Sequence, residues 1–149
     1  MVNVGNKAVT AREARAEAVV RVGAKIARLI AGQGGLAKGG VVETARIAGM
    51  MAAKRTADLI PMCHPVPIDH IRISIVVSRS DLVITTEVGC HGVTGVEMEA
   101  LTAAAVAALT VYDMCKSADK GIEIRSVRLL EKKGGKSGHW RAAPVPSES

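Results

Sequence analysis

A chain of 149 residues with 48% hydrophobic and 23% charged side chains has the size and composition of one globular domain with its own core, which excludes a disordered or fibrous protein. Phe is absent and Tyr112 and Trp140 are the only aromatics, so the core must be built from Ala, Val, Ile, Leu and Met. The net charge of +6 comes from scattered rather than clustered Lys and Arg, and with almost no rings to stack bases the sequence favours a small anion over nucleic acid as partner.

In chain order, the first element starts at Thr10-Ala-Arg-Glu13, which has the spacing of a helix capping box. The following residues alternate, however, with Ala14, Ala16, Ala18, Val20 and Val22 opposite Glu13, Arg15, Glu17 and Arg21. Period two predicts a strand over about 11–22, ended by Gly23. A short helix follows over 25–31, then a Gly-rich loop from Gly32 to Gly40 that carries Lys38 and is a candidate lid. Apolar spacing predicts a helix over 42–59, which Pro61, Pro65 and Pro67 stop, leaving Cys63 and His64 in the turn.

Ile71 to Val77 and Leu82 to Val88 alternate about a Ser80-Asp81 turn and predict an antiparallel hairpin. After the Gly92–Gly95 loop, an Ala-rich helix is expected over 96–117 and a last strand over 123–130. Residues 1–138 are then one domain, and 139–149 are expected to be a disordered tail. Strand, helices, hairpin, helix, strand is the α+β order of a ferredoxin-like βαββαβ sandwich with an extra helix. The 96–117 helix is apolar around more than one face, which predicts a second subunit against it.

Cys63, Cys90 and Cys115 are odd in number and widely spaced, the start has no secretory character, and no apolar run reaches the roughly 20 uninterrupted residues of a membrane span. A cytoplasmic protein without disulfides or membrane contact is the expectation. Cys63-His64 and Cys90-His91 offer zinc-type ligands, but adjacent residues chelate poorly and no metal site is expected. His70 and His139 are expected to be solvated. Gly134-Gly135-Lys136-Ser137 resembles the end of a P-loop without its first Gly or following helix, and is read as a mobile loop whose Lys can reach an anion. On the long helix Glu99, Thr102, Val106, Thr110 and Asp113 form a stripe, with Lys116 one turn on. Spacing alone leaves open whether Asp113 and Lys116 are an ordinary ion pair or an acid–base pair.

Three segments go further: Lys54-Arg-Thr-Ala-Asp-Leu-Ile-Pro-Met-Cys-His-Pro65, Thr94-Gly-Val-Glu-Met-Glu-Ala-Leu101 and Ala107-Ala-Leu-Thr-Val-Tyr-Asp-Met-Cys-Lys116. Together they resemble the MoaC family, the cyclic pyranopterin monophosphate synthases, and the resemblance extends from Met1 to Gly138. It implies a lyase of molybdenum cofactor (molybdopterin) biosynthesis that converts (8S)-3',8-cyclo-7,8-dihydroguanosine 5'-triphosphate, supplied by a radical SAM enzyme, to cyclic pyranopterin monophosphate and diphosphate. It further implies a homo-hexamer, a trimer of dimers with sites at dimer interfaces. No tightly bound cofactor is implied, and whether Mg2+ accompanies the triphosphate stays open.

By the same resemblance Asp113 and Lys116 are the catalytic pair. Met62, Cys63, His64, Met98 and Glu99 fall on substrate-binding segments, and Arg12, Lys38, Glu97 and Lys132 on further site positions. The chemistry suggests proton transfer for Asp113 and Lys116, orientation of base and sugar for His64 and Glu99, and phosphate neutralisation for Arg12 and Lys38. Asn3, Gly40 and Gly92-Val93 depart from the family pattern. The competing class is a non-catalytic relative that only binds a nucleotide or partner.

Overall fold

The computed structural model describes residues 1–33, 35–36 and 38–143. Strand β1 (Thr10–Arg21) lies at the centre of a five-stranded antiparallel sheet, between β5 (Asp81–Gly92) and β6 (Glu123–Lys133), with β4 (Ile68–Val77) outside β5 and β7 (Trp140–Arg141) outside β6. The order β4-β5-β1-β6 of the long strands is the ferredoxin-like one, and β7 extends the edge.

Alternation decides β1 in spite of its alanines. Ala14, Ala16, Ala18 and Val20 are buried on one face, and Glu13, Arg15 and Glu17 occupy the other. Helix α4 (Glu97–Cys115) packs on the buried face with Ala100, Ala103, Ala104, Ala107 and Ala108, so small side chains on both partners bring helix and sheet together where phenylalanines would otherwise fill the gap. Helix α4 is long and apolar enough to cross a membrane by length and composition, yet it is the core helix here. It also contacts α2 (Val41–Lys54), where a side chain on Gly49 would come within 2.9 Å of the Ala103 carbonyl oxygen.

Several boundaries differ from the sequence expectation for local reasons. The helix expected over 42–59 breaks at Arg55 into α2 and α3 (Thr56–Leu59), because the Thr56 hydroxyl donates to the carbonyls of Ala52 and Ala53. Helix α1 (Ala24–Gln33) takes in the start of the Gly-rich loop, and β2 (Gly35–Leu36) pairs with β3 (Gly39–Gly40) in a minimal hairpin with Lys38 at its turn. The tail expected to be disordered from 139 instead returns as β7, with Glu131 opposite Arg141 and Lys132 opposite Trp140; its residues 144–149 lie outside the described ones.

Candidate active site

The N-terminal end of α4 opens on a cleft of about 650 Å³, lined by five cations, Lys7, Arg12, Lys132, Lys133 and Lys136, and one carboxylate, Glu97. Such a balance suits a multiply charged anion. Arg12 is held at the end of β1 by donating Nε to the Gly92 carbonyl at 3.2 Å and Nη2 to the Val93 carbonyl at 3.3 Å. The departures at 92 and 93 therefore act through backbone oxygens that any residue supplies. Gly134 and Gly135, both in the left-handed region at φ 93° and 73°, let the next loop lie against this arginine; a side chain on Gly135 would overlap Arg12 Nη1. Lys132 reaches across to Glu97, 3.6 Å away, and donates to the Ser137 hydroxyl.

A smaller pocket of about 210 Å³ shares Thr94, Gly95 and Glu97 with the cleft and is otherwise lined by Met62, Cys63, His64, Val66, Met98 and Glu99. Glu99 is buried on the first turn of α4, with 4% of its surface exposed. Burial raises its pKa, aided by the neighbouring Glu97 and opposed by a hydrogen bond to its own backbone N–H. The Cys63 thiol is raised as well, by burial and then by Glu99. Glu99 is thus moved toward neutral pH, a property of proton donors beyond the orienting role expected for it.

The raised pKa sets a stability test with a definite sign. A carboxyl that holds its proton more tightly when folded disfavours folding as pH rises from the ordinary carboxylate range through the raised value. Glu99→Gln should therefore raise the melting temperature at neutral pH, with the gain disappearing in acid, while activity falls. An unchanged melting temperature at neutral pH would contradict the cost ascribed to burying this charge.

The other end of α4 carries a separate cluster. Asp113 Oδ1 lies 2.6 Å from Lys116 Nζ, and Oδ2 lies 3.0 Å from Lys38 Nζ, which also donates to the Asp113 carbonyl at 3.1 Å. All three side chains are about half exposed. Hydrogen bonds from Lys116 and then Lys38 hold the Asp113 carboxyl below its usual range, and Asp113 in turn raises Lys116. Asp113 is thus a carboxylate and Lys116 an ammonium at neutral pH, an acceptor beside a donor.

Lys38, expected like Arg12 to neutralise phosphate charge, lies on Asp113 and does not line the cleft that holds Arg12 within the chain. At about 1.5 Å of rise per residue, Asp113 lies about 21 Å along α4 from Glu99. Nor is the stripe between them a polar surface, because Glu99 and Thr102 are buried and Thr110 returns its hydroxyl to the Val106 carbonyl. Gly40, one of the departures from the family pattern, is the N-cap of α2 and makes no side-chain bond there.

Cys90 is buried while His91 is exposed and bonds Asp69 at 2.7 Å, since strand neighbours point to opposite faces. Among the described residues no three of His, Cys, Asp and Glu converge as a metal site would require. His70 and His139, expected to be merely solvated, face Glu87 at 3.6 Å and Glu131 at 2.6 Å. Sequence reading left Lys7, Lys133 and Ser137 out of the site, and gave Lys136 only as a loop lysine able to reach an anion. The Gly-Gly-Lys-Ser run was the signal for Lys136 and could have included Ser137, whereas Lys7 reaches the cleft only through the fold. Compared with known families, the chain matches the one described as the MoaC family over residues 1–135.

Proposed function

The chain belongs to the MoaC family, an enzyme family of molybdenum cofactor biosynthesis, and from that premise we propose that it is the lyase that converts (8S)-3',8-cyclo-7,8-dihydroguanosine 5'-triphosphate to cyclic pyranopterin monophosphate and diphosphate. The observation that carries this reading is the cationic cleft of Lys7, Arg12, Lys132, Lys133 and Lys136, which adjoins the pocket of His64 and buried Glu99. A triphosphate fits the first and a purine-derived ring system the second. The fixed cations would stabilise charge on the phosphates as diphosphate leaves. His64, Met62, Cys63 and Met98 would hold the rings, with Glu99 placed to share a proton with them.

In this reading Asp113 accepts and Lys116 donates protons during ring opening and pyranopterin closure, with Lys38 fixing the carboxylate. A proton acceptor must come within hydrogen-bond reach of the reacting group, and about 21 Å of helix prevents that within one chain. The proposal therefore includes a second copy that brings its Asp113 end to the His64 pocket, in dimers assembled as a hexamer. Ile47 and Met51, one turn apart on α2, and Leu109 on α4 are exposed apolar residues suited to such contacts. The substrate would come from a radical SAM enzyme in the cytoplasm; no resident cofactor is part of the proposal, and any Mg2+ would arrive with the triphosphate.

Incubation with the cyclised dihydro-GTP tests the reading directly: diphosphate and a pyranopterin should appear together. Tight binding without diphosphate release would instead identify a non-catalytic relative.

A further inference from the structure

Strand β7 has two residues, sits on the sheet edge, and leaves Trp140 45% exposed, so backbone pairing and apolar burial alone hold it weakly. The turn before it contains Gly134, Gly135 and Gly138, all at positive φ, a segment with much conformational freedom to lose. Yet this turn carries Lys136 and Ser137 into the wall of the cationic cleft. Something else must hold it there.

The group placed to do so is Glu131, 4% exposed on β6 and turned to the sheet face opposite α4. Its Oε1 accepts from His139 Nε2 at 2.6 Å and Arg141 Nη2 at 2.9 Å, one partner at the end of the turn and one on β7. Lys133 Nζ lies 3.8 Å from the same oxygen and Arg15 Nη1 3.7 Å from Oε2. The carboxylate also sits in a row that crosses all five strands of the main sheet with alternating sign: Arg72, Glu87, Arg15, Glu131, Arg141. Its neighbour Lys132 points the other way, into the cleft, and bonds Ser137 from the opposite end of the turn.

We propose that Glu131 is a positioning residue for the anion cleft: its buried carboxylate clamps His139 and Arg141 and so holds the Gly134–Gly138 turn, with Lys136 and Ser137, against the phosphates of the substrate. The inference rests on the reading of the cleft as the triphosphate site. Glu131 touches no substrate itself. It acts by removing, before binding, the freedom that the turn would otherwise lose on binding.

The test uses the full chain, inorganic tripolyphosphate as probe, and Trp140, the only tryptophan, as reporter of β7. Glu131→Ala and the double variant His139→Ala/Arg141→Ala should both assemble normally and shift Trp140 emission to the red. Both should bind tripolyphosphate about tenfold more weakly and raise KM similarly with kcat little changed. The double variant decides the matter if Glu131→Ala fails to assemble, because its two side chains are 52% and 70% exposed. Wild-type affinity in the variants, a fall in kcat at unchanged KM, or weakened binding with Trp140 emission unmoved would each overturn the clamp. Failure of the wild-type protein to bind tripolyphosphate would overturn the reading of the cleft, and the clamp with it.

Discussion

Asp113→Asn should fold, assemble and bind the cyclised dihydro-GTP, yet release diphosphate about 10²- to 10⁴-fold more slowly than the wild-type protein. The amide keeps the shape of the carboxylate and its oxygen still accepts from Lys116, while Lys38, whose Oδ2 partner becomes an NH2, keeps the Asp113 backbone carbonyl at 3.1 Å. What disappears is the titratable carboxylate, whose Oδ1 lies 2.6 Å from Lys116 Nζ and whose Oδ2 lies 3.0 Å from Lys38 Nζ. The alternative is a solvated ion pair, and for one so exposed little stability depends on it. The two roles separate in one experiment: a catalytic Asp113 gives normal assembly and lost turnover, whereas a merely structural one gives retained turnover and a small change in melting temperature. Near-normal diphosphate release by a correctly assembled variant would sink the catalytic role.

The acid limb of the activity profile carries the same information. Because Lys116 and Lys38 hold the Asp113 carboxyl below its ordinary value, the basic form persists as pH falls through the usual carboxylate range. The stabilisation from this pairing is present above the unfolded pKa and is lost only as pH falls through the lowered folded one. Glu131 follows the same sign more strongly: hydrogen bonds from Arg141 and His139 bring it to about 2, so its hold on β7 weakens between the ordinary glutamate range and that value.

Much of the fold was legible because its signals are periodic. The alternation of β1 and of the β4–β5 hairpin survives as buried Ala14, Ala16, Ala18, Leu82, Ile84 and Val88, and the Ala run of α4 as its buried face. Strand β7 was not legible, since two residues carry no period; it exists because Glu131, eight and ten residues earlier, captures His139 and Arg141. The motif residues could be named from the sequence, but not their arrangement in space. Glu99 reads as one stripe with Asp113, with Lys116 one turn on, because they share a helix face, whereas the rise of that helix separates Glu99 from the other two. The Asn3 departure is also explained only by structure: its Oδ1 accepts from the Gly5 N–H at 2.9 Å, a turn bond that Asn and Asp make equally well.

That separation leads to the second large effect, recovery of activity from two dead variants. His64→Ala removes a ring from the pocket beside Glu99, and Asp113→Asn removes the carboxylate at the far end of α4; each alone should leave almost no diphosphate release. If every site draws its His64 half from one protomer and its Asp113 half from the partner, a mixed dimer holds one site with both lesions and one with neither. Random mixing makes half the dimers mixed, each with one intact site of two, so co-expression should restore about a quarter of wild-type activity. Two affinity tags would verify that the mixed assemblies form, and purification through both tags should raise the recovered activity per subunit. Sites contained within one chain predict the opposite, because no chain in the mixture carries both halves intact. Verified mixed assemblies without recovered diphosphate release would therefore remove the shared site, and leave Asp113 and His64 to be joined by a rearrangement of α4 within its own protomer.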